Sequence, residues 1–303
     1  MIENNKIYIP RFLQIETVNG LCNARCTMCS IRDWGRKPYR MTMKEFQRII
    51  EKFIPYQKNL EFLSLFFCSE PLFDQTISEK ISYSKQLGFK GIGLSTNCSF
   101  LDEKKSLSLL NAGLDTLICS IDGVTKKIHE AIRIGTYFDE IVANVENFIQ
   151  LRNDHGFKTR LILRFVSQNI NRCEWKDYKK FWFSRLNLGL NDEIIKFEVI
   201  EWIRFDTNHS ETSKKQANFN TTKCNYPFER LIILSNGNVA LCCLDSEGIY
   251  NIGNVFKEDP ISIWNNEIFQ FYRKAMLEGH VNKLNPCAHC GVPTNRKIQT
   301  RIK

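Results

Sequence analysis

The first two thirds of the chain alternate between short apolar runs, rich in β-branched and aromatic residues, and amphipathic stretches. The apolar runs have the length of strands and lie near 12–18, 60–67, 90–95, 115–121, 159–166 and 194–200. One amphipathic stretch follows Thr42, which has capping-box spacing to Glu45, and another covers 138–152. Six strand–helix alternations predict a parallel α/β sheet, open or closed into a partial barrel.

The pattern changes after residue 205. Residues 206–222 are polar and predict a linker or exposed loop. Two β-like runs around Asn236-Gly237 then indicate a hairpin, and a helical region over about 260–279 precedes the segment "NPCAHC". We therefore predict two domains, a barrel-like one over 1–205 and a smaller, cysteine-rich one over 206–303.

Composition supports a globular, intracellular protein. The 303 residues are 43% hydrophobic and 25% charged, and the length fits about two domains. The N-terminus has no secretory apolar region, and no run approaches the ~18 apolar residues of a membrane span. We expect a cytoplasmic protein. The net charge of +9 is scattered, which predicts a mildly basic surface and gives no specific support to nucleic-acid binding.

Candidate chemistry comes from the twelve cysteines, since clustered cysteines in a reducing cytosol are usually metal ligands. Cys22, Cys26 and Cys29 form a C-x3-C-x2-C pattern just after the first predicted strand. Four-iron clusters normally take four thiolates, so three leave one iron open, and an open position is typical of a catalytic metal. On spacing alone, a zinc knuckle with its fourth ligand elsewhere is the alternative.

The cysteine triplet and its position resemble the radical S-adenosylmethionine (SAM) superfamily. The resemblance implies a partial (β/α)6 barrel and a four-iron cluster whose open iron is chelated by SAM. It also implies reductive cleavage of SAM to a 5′-deoxyadenosyl radical, which takes a hydrogen atom from the substrate. Many members have an aromatic residue before the third cysteine, where this chain has Met28.

Four further motifs resemble elements of this family. "FFCSEPLF" is similar to a G-G-E-P segment that keeps Glu70, and "LSTNCSFL" is similar to a T-N-G element with Cys98 in place of glycine. "CSIDG" and "RIG" are similar to S-x-D-G and R-x-G elements. The residues for which the resemblance implies cofactor-binding roles are Glu70, Ser95, Asn97, Ser120, Asp122 and Arg133.

The order of these motifs supports the resemblance independently. Each of the first three follows a predicted strand, and barrel folds build their sites from the C-terminal ends of successive strands. Taken singly, an S-x-D-G is most often a turn and a Glu-Pro pair a helix entry. Arg164 and Gln168, near the end of the fifth strand, are weaker candidates. Arg204 could contact substrate, although a surface arginine entering the linker is the simpler interpretation.

The second cysteine group lies in the last third of the sequence. Cys224, Gly237 and Cys242 give C-x12-G-x4-C, and a C-x2-C pair follows near the end of the chain. This pattern resembles a SPASM domain. A full SPASM domain has seven cysteines, whereas this region has five, with thirteen residues after the last one. The resemblance therefore implies a shortened, twitch-type domain with one auxiliary four-iron cluster, and a four-cysteine zinc ribbon is the alternative. The implied ligands are Cys224, Cys242, Cys287 and Cys290.

Cys243 is left over from this ligand set. It directly follows Cys242, so in an extended segment its side chain points the other way. A packed thiol is the simpler interpretation. Resemblance to radical SAM epimerases implies a hydrogen-atom donor instead. Asp245 is either a solvated turn carboxylate or an acid or base.

The cysteine inventory resembles that of the single-cluster deoxyinosamine dehydrogenase of aminoglycoside biosynthesis. We therefore expect oxidation of an alcohol to a ketone on a small hydroxylated substrate, a sugar or aminocyclitol. The auxiliary cluster would accept the electron, and flavodoxin or ferredoxin would serve as reductant. The alternatives are epimerisation through Cys243, modification of a ribosomal peptide, and a non-enzymatic iron-sulfur or zinc scaffold that binds SAM. For the peptide alternative we expect a separate peptide-carrier protein, because the first strand starts near residue 12.

Overall fold

The computed structural model of the chain describes residues 7–33, 35–199, 224–281, 284–290 and 300–302. The strands are β1 Phe12–Ile15, β2 Val18–Asn19, β3 Arg25–Cys26, β4 Tyr39–Arg40, β5 Phe62–Ser64, β6 Ile92–Thr96, β7 Thr116–Ser120, β8 Arg133–Ile134, β9 Arg160–Ser167, β10 Glu193–Glu198, β11 Arg230–Ile233, β12 Val239–Ala240 and β13 Thr300–Ile302. The α-helices are α1 Met43–Ile50, α2 Ile77–Gln86, α3 Glu103–Asn111, α4 Lys126–Ile132, α5 Phe138–Asp154, α6 Trp175–Phe183, α7 Tyr226–Glu229, α8 Pro260–Trp264 and α9 Glu267–Leu277.

The main sheet follows the predicted alternation. Its strand order is β12-β11-β1-β5-β6-β7-β9-β10-β13. The six strands from β1 to β10 in this order run parallel and follow chain order, with helices in the crossovers. All five residues of β6 are buried, because a central parallel strand is covered on both faces. The architecture is the predicted partial (β/α)6 barrel, which brings the C-terminal ends of these strands to one edge.

The helix predictions are confirmed. Thr42 caps α1: its Oγ1 accepts from the Glu45 N–H at 3.2 Å, while Glu45 Oε2 accepts from the Thr42 N–H at 2.8 Å. The apolar face of α1 is buried against the sheet, as the helical spacing indicated. The second predicted helix is α5, which extends to Asp154. No helix within the described residues is both long and apolar enough to cross a membrane.

The C-terminal segment joins the barrel through its hairpin. β11 and β12 pair antiparallel around Gly237, whose φ of 83° lies in the left-handed region that favours glycine. β11 also pairs parallel with β1, which extends the barrel sheet into the C-terminal segment. The predicted boundary at residues 205 and 206 lies outside the described residues, so the two-domain division stays a prediction.

The C-terminal helices pack on the same hydrophobic core as the barrel. The core cluster runs from Leu13 of β1 to Leu284, and it includes Trp264 of α8 and Phe269 of α9. The Asn265 side chain joins the C-terminal segment to the start of the described chain. Its Oδ1 accepts from the Tyr8 N–H at 2.8 Å, and its Nδ2 donates to the Tyr8 carbonyl at 3.0 Å. The two cysteine-bearing regions are therefore held in one packed body.

Candidate active site

A cavity of about 760 Å³ opens at the edge where the parallel strands end. The three cysteines of the triplet line it, together with side chains from the barrel strand ends and from the C-terminal segment. Five of the six predicted cofactor-binding residues line it: Glu70, Ser95, Asn97, Ser120 and Arg133. The sixth, Asp122, is fully buried and lies outside the lining. Arg204 falls outside the described residues.

The triplet loop is fixed by backbone pairing. β3 pairs antiparallel with β8, which places Cys26 opposite Arg133. The Thr27 N–H donates to the Ile132 carbonyl at 2.9 Å, and the Cys29 N–H donates to the Cys26 carbonyl at 3.1 Å. The loop conformation therefore depends on the segment that follows α4, more than 100 residues away in sequence.

Three nitrogen donors point at sulfur atoms of the triplet, and the first is the Ala24 N–H, 3.4 Å from Cys22 Sγ. Asn97 Nδ2 lies 3.8 Å from Cys22 Sγ, and Arg133 Nη1 lies 3.8 Å from Cys26 Sγ. Burial raises the pKa of Cys22 to about 12, so without a metal this group stays a thiol. Three soft sulfur donors around one cavity, with N–H groups directed at two of them, fit an iron-sulfur cluster with one open iron.

This arrangement differs from a site for one metal ion. Within the described part of the chain, no three His, Cys, Asp or Glu side chains are grouped to hold a single ion. A four-iron cluster does not require that grouping, because each thiolate binds a different iron.

Glu70 forms the wall between two strand ends. It is 3% exposed; its Oε1 accepts from the Leu72 N–H at 3.1 Å and from Thr96 Oγ1 at 2.7 Å, and its Oε2 accepts from the Asn97 N–H at 2.8 Å. Burial raises the pKa of Glu70, although these hydrogen bonds oppose the shift. The carboxyl group thus ties the loop after β5 to the loop after β6, and it fixes the backbone of Asn97.

Asn97 is held so that its amide reaches the triplet. Its Nδ2 donates to Asn23 Oδ1 at 2.8 Å, and its Oδ1 accepts from the Ser99 N–H at 2.9 Å. The next residue, Cys98, is buried and has a φ of 67°. Because glycine adopts this left-handed conformation most easily, the geometry accounts for the glycine that the resembling family usually has at this position.

Arg164 organises the strand ends of β6 and β7. Its Nη2 donates to Ser95 Oγ at 2.7 Å and to Ser120 Oγ at 2.5 Å. Burial, with the charge of Arg133, lowers the pKa of Arg164 to about 10, which still leaves it charged at neutral pH. From the sequence alone, Arg164 is one of the weaker candidates for the cofactor site. The available signal was a single arginine inside the otherwise apolar run "LILRFV".

Gln168, the other weak candidate, contacts the triplet loop directly. Its Oε1 accepts from Thr27 Oγ1 at 3.3 Å, and its Nε2 donates to Met28 Sδ at 3.8 Å. Met28 lines the cavity. The end of β9 therefore supports the loop at the position where the family commonly has an aromatic residue.

The second cysteine group surrounds a much smaller cavity, of about 30 Å³. Burial raises the pKa of Cys287 to about 12 and that of Cys242 well above its usual value. The remaining lining residues are mostly apolar, and they include Pro227, Leu241 and Met276. Five thiols line this mostly apolar space, and the four of the predicted ligand set fit a fully ligated cluster better than a substrate site. These four are the thiols of Cys224, Cys242, Cys287 and Cys290.

Two further thiols face the main cavity. Cys243 lines both cavities and packs against the small core cluster of Ile232, Leu234 and Ala240, and burial raises its pKa to about 12. Cys68 lines the main cavity too. The sequence signal for this position was the place of Cys68 in the G-G-E-P-like segment.

Asp245 is fully buried and accepts from the N–H groups of Leu241 and Ile249, both at 2.9 Å, so it orders a turn and is not solvated.

Comparison with known families agrees with this geometry. The model of the radical SAM superfamily matches residues 17–179, more than half of the chain, and the SPASM model, an iron-sulfur cluster-binding domain, matches residues 224–291. The chain therefore belongs to the radical SAM superfamily and carries a SPASM domain. Its cofactors are S-adenosylmethionine and iron-sulfur clusters, as predicted.

Curated relatives match parts of the chain. A probable GTP 3′,8-cyclase from Saccharolobus islandicus is 24% identical over 177 residues, 58% of this chain and 53% of that protein. The SAM-dependent 2-deoxy-scyllo-inosamine dehydrogenase of Niallia circulans is 31% identical over 85 residues, 28% of this chain and 33% of that protein. The match thus spans about half the length of the first of these relatives and a third of the second.

Solved structures share the fold over almost the whole chain. BtrN in complex with AdoMet and 2-DOIA has a TM-score of 0.60 and 17% identity, and the match covers 94% of both chains. Streptococcus suis SuiB bound to S-adenosylmethionine has a TM-score of 0.65 and 16% identity, with 95% of this chain and 72% of that chain covered. At these identities the likeness shows the fold alone.

Proposed function

We propose that the protein oxidises an alcohol of a small hydroxylated molecule, a sugar or an aminocyclitol, to a ketone. The observation that carries the proposal is the single cavity that the cysteine triplet and Cys243 both line. Cys243 directly follows Cys242 of the second group in the sequence, so both cysteine groups adjoin the space where a substrate would lie. When bound, SAM and the reduced cluster would supply the radical that removes the hydrogen atom from carbon, a base would take the hydroxyl proton, and the auxiliary cluster would accept the remaining electron.

The proposed ligands of the SAM-binding four-iron cluster are Cys22, Cys26 and Cys29, and those of the auxiliary four-iron cluster are Cys224, Cys242, Cys287 and Cys290. For SAM itself we propose contacts from Ser95, Asn97, Ser120 and the cavity wall around Glu70. Asp122 lies behind this wall and acts through Arg133, with which it forms an ion pair of 2.7 Å. The chain's own contribution is thus a polar cavity beside the cysteine triplet and a separate, mostly apolar space between the cysteines of the second group.

Glu198 is the carboxylate we assign to substrate binding. It lies at the C-terminal end of β10 and lines the cavity. Although burial opposes the shift, the hydrogen bond from Lys196 and the charge of Arg172 lower the pKa of Glu198, so it stays ionised at neutral pH. An ionised carboxylate binds hydroxyl or ammonium groups, which both proposed substrate classes carry.

Two comparisons support a small-molecule substrate. BtrN, which shares the fold of this chain, was solved with AdoMet and 2-DOIA. The inosamine dehydrogenase relative points the same way. Peptide modification, with its separate peptide-carrier protein, remains an outcome that the substrate test distinguishes.

Epimerisation is the second candidate, because Cys243 lines the main cavity. A thiol in this position could return a hydrogen atom to the substrate radical from the auxiliary side. Its raised pKa keeps it in the S–H form that such a transfer needs. Solvent deuterium separates the two functions, since an epimerase places solvent-derived deuterium on carbon in the product and a dehydrogenase forms a carbonyl group there.

The test is anaerobic reconstitution of the full chain followed by turnover with dithionite or flavodoxin as reductant. We expect about eight iron atoms per chain for two four-iron clusters, reductive SAM cleavage to 5′-deoxyadenosine, and a ketone from an aminocyclitol or sugar panel. Substrate deuterated at the oxidised carbon should transfer its label to 5′-deoxyadenosine. Bound zinc without 5′-deoxyadenosine would instead establish a non-enzymatic scaffold. Turnover of peptides alone would overturn the substrate class.

A further inference from the structure

The guanidinium group of Arg133 lies between a proposed cluster ligand and a buried carboxylate. Its Nη1 is 3.8 Å from Cys26 Sγ, and its Nη2 is 2.7 Å from Asp122 Oδ2. Arg133 is 7% exposed and Asp122 is fully buried. Among the residues that the structure describes, Arg133 Nε has no hydrogen-bond partner, although it is buried. The guanidinium group thus bridges the Cys26 sulfur and the Asp122 carboxylate.

This geometry is fixed from several directions. The pairing of β3 with β8 sets Cys26 directly opposite Arg133 in the ladder. The Arg133 carbonyl accepts from Thr136 Oγ1 at 2.7 Å. Asp122 Oδ1 accepts from the Val166 N–H at 2.7 Å, which holds the carboxylate away from the sulfur. Since both partners are anchored, the positive end of the pair is directed at Cys26.

The other ligand with a nearby donor has a different environment. Asn97, which donates to Cys22, is neutral, whereas Arg133 is permanently charged. Hydrogen bonds to cluster sulfurs and the local net charge are among the factors that set the reduction potential of an iron-sulfur cluster. A cation beside a ligand sulfur favours the reduced cluster, which carries one more negative charge, and in a buried site it is weakly screened.

We propose that Arg133 raises the reduction potential of the SAM-binding cluster through Cys26, and that Asp122 limits this effect. Both residues are then tuning residues for the cluster, beyond any contact with SAM. The inference rests on the ligand role proposed above for Cys26. It predicts opposite signs for the two partners: removing the cation lowers the potential, and removing the anion raises it.

The test is an EPR-monitored redox titration of the reconstituted full chain with and without SAM. The signal that changes on SAM addition reports the cluster of the triplet. For Arg133→Gln we expect about a tenfold loss in the reduction equilibrium constant, which is about 59 mV for one electron. Arg133→Lys should lose less, because the charge is kept, and Asp122→Asn should shift the potential upward. The auxiliary signal should not move.

The matched control is another buried arginine–aspartate pair. Arg152 Nη1 lies 2.7 Å from Asp192 Oδ1, and both side chains are fully buried. Asp192 directly precedes β10, so it lies at the N-terminal ends of the strands, away from the cavity. Asp192→Asn should lower stability and leave the potential unchanged. Unchanged potentials in Arg133→Lys and Asp122→Asn, or shifts of one sign in both, would overturn the inference even if Arg133→Gln fails to fold. Absence of a SAM-sensitive signal in the unaltered protein would overturn the ligand role of Cys26, and the inference with it.

Discussion

The two cysteine groups differ in how the chain assembles them and in what surrounds them. The triplet lies within eight residues of one loop and faces a cavity of about 760 Å³ with charged and amide side chains. The second group is spread from residue 224 to residue 290 and encloses about 30 Å³ of mostly apolar space. The cavity at the triplet, the open site, has room for a cofactor and a substrate. The cavity at the second group, the closed site, has room for neither.

This difference supports different tasks for the two proposed ligand sets. Thiolates in a polar cavity can hold an iron that exchanges a ligand, whereas thiolates in an enclosed apolar space hold a cluster suited to electron transfer. Cys243 lies where the two environments meet, since it lines both cavities.

The largest effect should come from removing one ligand in each group. Cys26→Ala and Cys287→Ala should each reduce the iron content from about eight to about four atoms per chain. Cys26→Ala should abolish 5′-deoxyadenosine formation, whereas Cys287→Ala should retain SAM cleavage and lose product formation. Iron analysis and chromatography measure both. SAM cleavage that survives in Cys26→Ala would contradict the division of tasks.

The next effect concerns the wall of the open site. Glu70→Ala leaves three buried donors without an acceptor, so we expect a loss of about 3 kcal/mol in the free energy of unfolding and weaker SAM binding. Denaturant titration and equilibrium binding of SAM are the measurements. Glu61→Ala, which removes an exposed carboxylate paired with Arg11, is the control and should change neither. Full SAM affinity in Glu70→Ala would show that the wall does not position the cofactor.

Acid should lower the free energy of unfolding through His129, which lies in the barrel. Burial, with the charge of Arg133, lowers the pKa of His129 to about 3, whereas an unfolded histidine titrates near about 6.5. Between these values the unfolded chain binds more protons, so this contribution to stability falls as the pH falls. His129→Gln should flatten the slope of unfolding free energy against pH between about 6.5 and 4. The exposed His155 offers the comparison, since His155→Gln should leave the slope as it is.

The smallest effect is expected at the junction of the two sites. Cys243→Ala should leave both clusters intact, because Cys243 is outside both proposed ligand sets. Under the dehydrogenase proposal, ketone formation should persist within about twofold. Cys173→Ala, which changes an exposed thiol outside the cavity lining, is the control. Loss of turnover in Cys243→Ala alone, with solvent deuterium on carbon in the unaltered protein's product, would establish epimerisation.

Much of the fold and part of the site follow from local patterns. Three of these patterns involve residues close in sequence: the capping box at Thr42, the hairpin at Gly237 and the spacing of the triplet. The structure confirms the capping box and the hairpin. Strand order also followed, because parallel strands joined by helices usually lie next to each other. With the exception of Asp122, the cofactor-binding residues predicted at strand ends accordingly line one cavity.

The particular partners did not follow from the sequence. Asp122 looked like a cofactor ligand, yet the structure places it behind Arg133. Arg164 looked peripheral, yet it joins Ser95 to Ser120 across two strands.

By itself, the sequence determined the family, the alternation of strands and helices and the two cysteine groups, because periodicity and ligand spacing are short-range properties. Only the tertiary structure decided that Arg133, 107 residues away, faces Cys26, and that β11 joins β1 so that both cysteine groups adjoin one cavity. These contacts depend on how the whole core packs, since side chains far apart in sequence meet only when the sheet order and the register bring their strand ends together.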